Sequence, residues 1–139
     1  MIGGFQRRGR HSRQYQRAAH LLADCSQYLH FTAGVLMGQA VLRVEGLPES
    51  ALDAAAAFHR DWLPRARRLL CEADALALVF TAAAYDHRGW RLAGIQDLAR
   101  EATPRRVNGI AGDDPDAIDQ TTAWLASAPG ITGQLLTVE

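Results

Sequence analysis

The sequence predicts an α/β domain in which four parallel strands alternate with three helices, in the order βαβαβαβ. Two observations lead to this prediction: four short apolar runs recur between residues 40 and 139, and the segments that separate them repeat apolar residues at helical spacing. The 139 residues, 48% of them hydrophobic, suffice for one domain with a sizeable core. No window approaches the roughly 18 consecutive apolar residues that a membrane-spanning helix requires, so we expect a soluble chain.

The first strand and the first helix occupy residues 40–47 and 49–70. The run "AVLRVEGL" is the strand, and "ESALDAAAAFHRDWLPRARRLL" follows it at helical period. Ser50, with Asp53 three residues later, makes a weak capping box at the start of this helix. Pro64 should kink the helix or divide it into two pieces, because proline removes one backbone hydrogen bond and its ring crowds the preceding turn.

The second strand and helix repeat this pattern. The run "ALALVFTAA", residues 75–83, is almost continuously apolar, which is typical of a strand covered on both faces in a parallel sheet. The segment "HRGWRLAGIQDLAREA" is the second helix, and Pro104 stops it. Its apolar positions are Trp90, Leu92, Ala93, Ile95, Leu98 and Ala99.

The third strand is "RRVNGIAG", residues 105–112, and the fourth is "ITGQLLTVE" at residues 131–139. The helix between them, "DDPDAIDQTTAWLASA", has Asp113 or Asp114 as its N-cap and Pro115 in its first turn. Its apolar face consists of Ile118, Trp124 and Leu125.

Residues 1–36 form a basic leader ahead of the α/β domain of residues 37–139. The leader holds five arginines and one aspartate, a net charge of +4, against −4 for the rest of the chain. Apolar residues at helical spacing predict a helix over residues 14–31; alternatively, translation begins at Met37 and the leader is not part of the native protein. The acidic body argues against nucleic-acid binding, which requires clustered basic residues.

The cysteines and histidines do not form a metal-binding pattern. Cys25 and Cys71 lie 46 positions apart, without a Cys or His at zinc-site spacing, and we interpret them as buried, reduced thiols of a cytoplasmic protein. The five histidines are scattered and none forms an H-x-x-H or H-x-x-x-H pair. We therefore expect no metal site.

One face of the predicted sheet needs a cover. If every crossover is right-handed and each strand lies beside the last, all three helices lie on the same face. Wet apolar sheet surface costs about 25 cal/mol per Å². The cover would be the helix of residues 14–31, a second subunit, or one helix on the opposite side.

Three phrases, "FHRDWLPRARRLL", "QDLAREATPRRVNGIAG" and "TAWLASAPGITGQLLTVE", resemble the second half of a short-chain dehydrogenase/reductase. The resemblance extends over roughly residues 40–139, and "ITGQLLTVE" is its most specific part. It implies a Rossmann-like three-layer sandwich whose truncated sheet holds the family's fourth to seventh strands in sequential order. It also implies a left-handed last crossover, which would place the helix of residues 115–127 on the otherwise bare face.

The resemblance does not extend to the family's cofactor motif. The family binds NAD(P) through a glycine-rich turn between its first strand and helix. No G-x-x-x-G-x-G follows a strand in this sequence. The family's "PG" after its sixth strand is here Gly112 and Asp113, and the carboxylates of Asp113 and Asp114 would repel a phosphate. We therefore expect no bound cofactor.

The family's catalytic residues survive at most as remnants. The family uses a Ser, a Tyr and a Lys four residues after the Tyr, which lowers the pKa of the Tyr. Aligned without gaps, the Tyr falls on Ala84 and the Lys on Arg88, so Tyr85 is rotated by about 100° from the required direction. Thr81 would take the place of the Ser. We interpret Tyr85 and Arg88 as a surface or interface pair, and we expect no catalytic residue.

The sequence leaves two functions open. The first is a degenerate, non-catalytic binding or assembly module of unknown ligand, which forms a homodimer through its two central helices or its last strand, as the family does. The second is an NAD(P)-dependent oxidoreductase completed by a partner chain. We interpret Asn108 as hydrogen-bonded to nearby backbone, and Trp62, Trp90 and Trp124 as core or interface anchors.

Overall fold

A computed structural model describes residues 38–139, which form one parallel sheet with helices on both of its faces. The leader of residues 1–36 and its predicted helix over residues 14–31 lie outside the described residues. The strands are β1 (Gln39–Val44), β2 (Ala75–Phe80), β3 (Arg106–Ala111) and β4 (Leu135–Thr137). The α-helices are α1 (Ala51–Ala57), α2 (Leu63–Glu72), α3 (His87–Ala102) and α4 (Pro115–Ala126), with a π-helical turn at Phe58–Trp62.

The strand order is β1-β2-β3-β4, and every neighbouring pair is parallel. All six residues of β2 are buried, as its continuous apolar sequence predicts. The α/β architecture and the sequential strand order of the sequence prediction are thus confirmed. The fourth strand is shorter than predicted, with only the three residues Leu135–Thr137 in the ladder. Within residues 38–139, no helix combines the length and the apolar composition that a membrane crossing needs.

The first predicted helix is divided at Pro64, as expected. The α1 helix begins at Ser50, whose hydroxyl accepts a hydrogen bond from the backbone N–H of Asp53 at 3.4 Å. The π-helical turn then separates α1 from α2, with the N–H of Leu63 bonded to the carbonyl of Phe58, five residues earlier. Because Pro64 has no N–H to continue the α-helical ladder, the wider turn lets the chain continue as one bent helix.

The two faces of the sheet are covered by different helices. Alternate residues of β2, such as Leu76 and Phe80, contact the cluster formed with α2 and α3. On the other face, Val79 joins a second cluster with Ile118 and Leu125 of α4. The last crossover therefore departs from the right-handed rule, as the family resemblance implies. One helix covers this face incompletely, since Val41 of β1 remains 43% exposed.

Buried polar contacts fasten β3 to the segment that leads into β4. Asn108, which is 2% exposed, donates from Nδ2 to the carbonyl of Ile131 at 2.9 Å and accepts at Oδ1 from the N–H of Gln134 at 3.1 Å. The prediction that its side chain bonds backbone is confirmed. At the end of β3, Gly112 is required by space, because a Cβ there would lie 2.4 Å from the carbonyl oxygen of Val138.

Two side-chain predictions need correction, and a third is narrowed. On α3, Ile95, Leu98 and Ala99 are buried as predicted, but Ala93 is exposed and the buried face includes Arg91 instead. Trp124 is 53% exposed, which excludes the core and leaves the interface as its predicted role, whereas Trp62 and Trp90 pack partly buried against the larger cluster. Cys71 is partly buried and disulfide-bonded, so the prediction of a reduced thiol is wrong for this residue.

Candidate functional site

The carboxyl ends of β1, β2 and β3 meet the start of α4 around a cavity of about 130 Å³. Ligands of open parallel sheets bind outside the carboxyl ends of the strands, so this edge is where a site is expected. The walls include Val79 and Ile118, and the polar groups at its margin belong to Arg43, Glu45, Thr81 and Asp113.

Two of the charged side chains at the cavity, Asp113 and Arg43, contact other parts of the domain. Asp113 accepts at Oδ1 a hydrogen bond from the N–H of Ala82 at 2.9 Å. This contact ties the segment after β2 to the segment after β3. Arg43 faces Asp119 of α4 at 3.6 Å, a partly exposed ion pair of small energetic value. Two carboxylates, those of Glu45 and Asp113, thus stand beside one arginine at the rim.

The structure does not bring the three predicted remnants together in this cavity. Thr81 directly follows β2 and lines it. Tyr85 is 88% exposed and is not among the lining residues, and Arg88 on the first turn of α3 is also exposed and outside the lining. The two are linked by backbone, with the N–H of Arg88 bonded to the carbonyl of Tyr85 at 3.0 Å. Thr81 is therefore the only one of the three at the cavity.

Arg91 is a polar residue at this edge that the sequence analysis missed. Its side chain is 5% exposed, and Nη1 donates to the carbonyl of Thr81 at 2.9 Å. Its guanidinium lies over the rings of Phe80, at 4.9 Å, and Trp90, at 5.5 Å. Burial lowers the pKa of Arg91 from its ordinary value, although a guanidinium stays protonated at neutral pH. A buried cation thus lies directly behind the end of β2.

His87 lies one turn before Arg91 and has a fixed role in packing. Its Nδ1 accepts from Nε1 of Trp90 at 3.3 Å, and its Nε2 contacts the carbonyl of Glu49 at 3.0 Å. Because Nδ1 accepts, Nε2 must carry the proton and donate it, which defines a neutral tautomer. The ring therefore joins the start of α3 to the loop that precedes α1.

One signal in the sequence marks these buried positions. His87, Arg91 and Ile95 are spaced four residues apart, which puts them on one face of a helix. The sequence prediction selected residues by apolarity and so assigned the face to Ala93 instead of Arg91. Among residues 38–139, no group of three or more His, Cys, Asp or Glu side chains is arranged to hold a metal ion.

Comparison with known proteins agrees with the fold. A family model described as a short chain dehydrogenase-like protein matches residues 42–138. The match begins within β1 and extends past β4, so it includes the second half of β1, the other three strands and all the helices of the described domain. No curated protein matches the sequence, and no solved structure does.

Proposed function

Since the chain belongs to the short chain dehydrogenase-like family, we propose that it is a degenerate member that serves as a non-catalytic binding or assembly module. The observation that carries this proposal is the position of Tyr85, which is 88% exposed and outside the cavity. A proton donor must lie within hydrogen-bonding reach of the reacting group. Arg88, at the position of the family's lysine, does not release a proton at neutral pH.

The size and charge of the cavity support the same proposal. Its volume of about 130 Å³ is below the roughly 300–1,000 Å³ that small-molecule and cofactor sites usually enclose. The carboxylates of Glu45 and Asp113 at its rim oppose the approach of a pyrophosphate. The 139 residues also contain no G-x-x-x-G-x-G sequence. A dinucleotide therefore has neither the space nor the backbone cradle that the family provides.

A fluorescence titration with NADH and NADPH tests the proposal. We expect no saturable binding through the micromolar range, for either the wild-type chain or Tyr85→Phe. The same NADH titration of Arg88→Ala is a second comparison, because this variant removes only an exposed positive charge. Saturable micromolar binding by the wild type that weakens in either variant would overturn the proposal.

The assembly function we propose is a homodimer through the central helices or the last strand. Leu52 on α1 is 84% exposed, and it supports the helical surface as the contact. We expect a dimer in sedimentation equilibrium at micromolar concentration, and we expect Leu52→Glu to dissociate it. Trp124→Glu, on α4 at the opposite face of the sheet, should remain dimeric if the helices form the contact, and its dissociation would assign the contact to the side of the last strand. A wild-type monomer across this range would contradict the homodimer.

A second candidate is an oxidoreductase completed by a partner chain. The carbonyl of Gly38 accepts a hydrogen bond from the N–H of Asp74, next to β2. Because backbone groups alternate in direction along a strand, the N–H and C=O groups of Gln39, Val41 and Arg43 face away from β2. Within the described residues no strand pairs with this edge. In dinucleotide-binding sheets the first strand lies beside the fourth. The resemblance makes β1 the family's fourth strand, so a first strand from a partner chain would pair with this edge of β1. Nicotinamide binding by the chain that is lost in Tyr85→Phe would favour this candidate.

A further inference from the structure

Arg91 is a buried cation without a counter-ion in the described part of the chain. No carboxylate oxygen of residues 38–139 lies within 4.0 Å of its guanidinium nitrogens. Other arginines of the domain do have such partners, including Arg67, which forms a 2.6 Å contact with Glu101. Burial of a charge is unfavourable unless the charge is paired and hydrogen-bonded. Within residues 38–139, the charge of Arg91 is therefore not neutralised by a carboxylate.

The unsatisfied part of Arg91 is one edge of its guanidinium. Nη1 is bonded to the carbonyl of Thr81, but the buried Nε has no hydrogen-bond partner. Nη2 also makes no hydrogen bond within residues 38–139. Nε–H and Nη2–H point the same way along one edge, and this pair of donors fits the two oxygens of a carboxylate or a phosphate. The vacant edge thus has the geometry of an oxyanion receptor.

The aromatic rings around Arg91 hold this edge in a fixed direction. The guanidinium carbon lies 4.9 Å from the ring centre of Phe80 and 5.5 Å from that of Trp90. Trp90 is itself held by its hydrogen bond to His87. A receptor that is fixed before binding loses less conformational entropy when the ligand arrives. The rings also exclude water, which strengthens an ionic hydrogen bond.

The segment between β2 and α3 is the route by which we expect a ligand to reach Arg91. Residues 81–86, between β2 and α3, are all exposed and form neither helix nor strand. Within residues 38–139, two side-chain hydrogen bonds fasten the beginning of this segment, one from Arg91 to the carbonyl of Thr81 and one from the N–H of Ala82 to Asp113. A small outward movement of residues 83–86 would bring an oxyanion to the vacant edge while the bonds of Thr81 and Ala82 remain in place.

We propose that Arg91 is the anchor of a binding site for a small ligand that carries a carboxylate or a phosphate, at the junction of β2 and α3. The oxyanion accepts from Nε and Nη2, while Nη1 keeps its bond to Thr81. This inference rests on the proposed function, because it names the ligand class of the binding module. It does not require nicotinamide binding or catalysis.

Thermal unfolding of the full chain tests the site, with sodium phosphate and sodium acetate as probes against sodium chloride at equal ionic strength. We expect phosphate or acetate to raise the Tm of the wild type by about 5 °C at ten times its Kd. Arg91→Met should lose this rise and, without anion, should be as stable as the wild type, because a buried unpaired charge is replaced by an apolar side chain of similar length. Arg88→Met, an exposed neighbour, is the control and should keep the rise.

A second measurement needs no variant. The Nε–H resonance of Arg91 in ¹⁵N–¹H NMR spectra of the wild type should shift saturably with phosphate or acetate but not with chloride. A response to phosphate alone identifies a phosphorylated ligand, and a response to both identifies oxyanions in general. Equal responses to chloride, or an unchanged Tm rise in Arg91→Met, would overturn the site. That result would not change the expected outcome of the nicotinamide titration. Failure of the oxyanion site and failure of the proposed function are therefore distinguishable.

Discussion

Two arginines, Arg106 on β3 and Arg91 on α3, show how differently the domain treats the polar groups of its partly or fully buried side chains. Arg106, at the start of β3, donates from Nη1 to the carbonyls of Leu125 and Ala128 at 2.9 and 2.8 Å. These carbonyls belong to the C-terminal end of α4 and its following turn, where a cation is favoured. Among the residues that the structure describes, Arg91 has one carbonyl partner and its Nε has none. The β3–β4 region is complete in itself, and the junction of β2 and α3 is not.

The largest effect is expected at Asn108 in the complete region. Asn108→Ala removes the partly buried hydrogen bonds of its side chain to the carbonyl of Ile131 and to the N–H of Gln134, and it empties a fully buried side-chain position. We expect the free energy of unfolding to fall by about 3 kcal/mol, measured by urea denaturation. Asn108→Asp should show at least as large a loss, because an ionised carboxylate would be buried against the carbonyl oxygen of Ile131. A loss of less than about 0.5 kcal/mol, as for a surface substitution, would show that these hydrogen bonds do not stabilise the region.

The second-largest loss of stability is expected at Gly112, where the end of β3 lies close to Val138. Gly112→Ala would place a Cβ 2.4 Å from the carbonyl oxygen of Val138. The backbone must shift, and we expect a loss of about 2 kcal/mol in unfolding free energy. Gly89→Ala in α3, where a Cβ meets nothing within 4 Å, is the control and should gain about 0.5 kcal/mol. Equal stability of the two variants would contradict the packing of β4 on β3.

The two arginines themselves give a smaller but more direct comparison. Arg106→Met removes both hydrogen bonds to the end of α4, so we expect a loss of about 1.5 kcal/mol in unfolding free energy. Arg91→Met in anion-free buffer should show no such loss. If both variants were destabilised equally, Arg91 would be as structural as Arg106 and the distinction between the two regions would fail.

The smallest effect is expected at the predicted remnants. Tyr85 is 88% exposed, so Tyr85→Phe should change the unfolding free energy by less than about 0.5 kcal/mol. The exposed Arg88 should tolerate substitution by Ala equally well. Thermal unfolding of both variants beside the wild type checks this. A loss of stability comparable to that of Asn108→Ala would mean that the pair has a partner surface that exposure does not reveal.

The fold was predictable from the sequence because each element carries its own signal. The continuous apolar run of β2, the cap at Ser50 and the break at Pro64 depend on residues close together in the chain. The placement of α4 on the second face followed from the family resemblance alone, since the handedness rule favours the first face.

The candidate site was less predictable because it depends on contacts between distant elements. Arg91 is charged, and its burial follows from helical rotation and from the rings of Phe80 and Trp90, which apolarity along the sequence does not register. The link from Asp113 to Ala82 spans 31 positions, so no local pattern marks it. The catalytic motif of the family made Tyr85 and Arg88 candidate remnants, but the structure places both at the surface, outside the cavity.

The most direct test of the account is one NMR experiment on the ¹⁵N-labelled wild-type chain, in which phosphate and NADH are titrated separately. The account predicts that phosphate shifts the Nε–H resonance of Arg91 and the backbone resonances of residues 81–86. It predicts that micromolar NADH shifts no resonance saturably. Saturable shifts with micromolar NADH at Val79 and Ile118, which line the cavity, would contradict the claim that this member of the family no longer holds a nicotinamide.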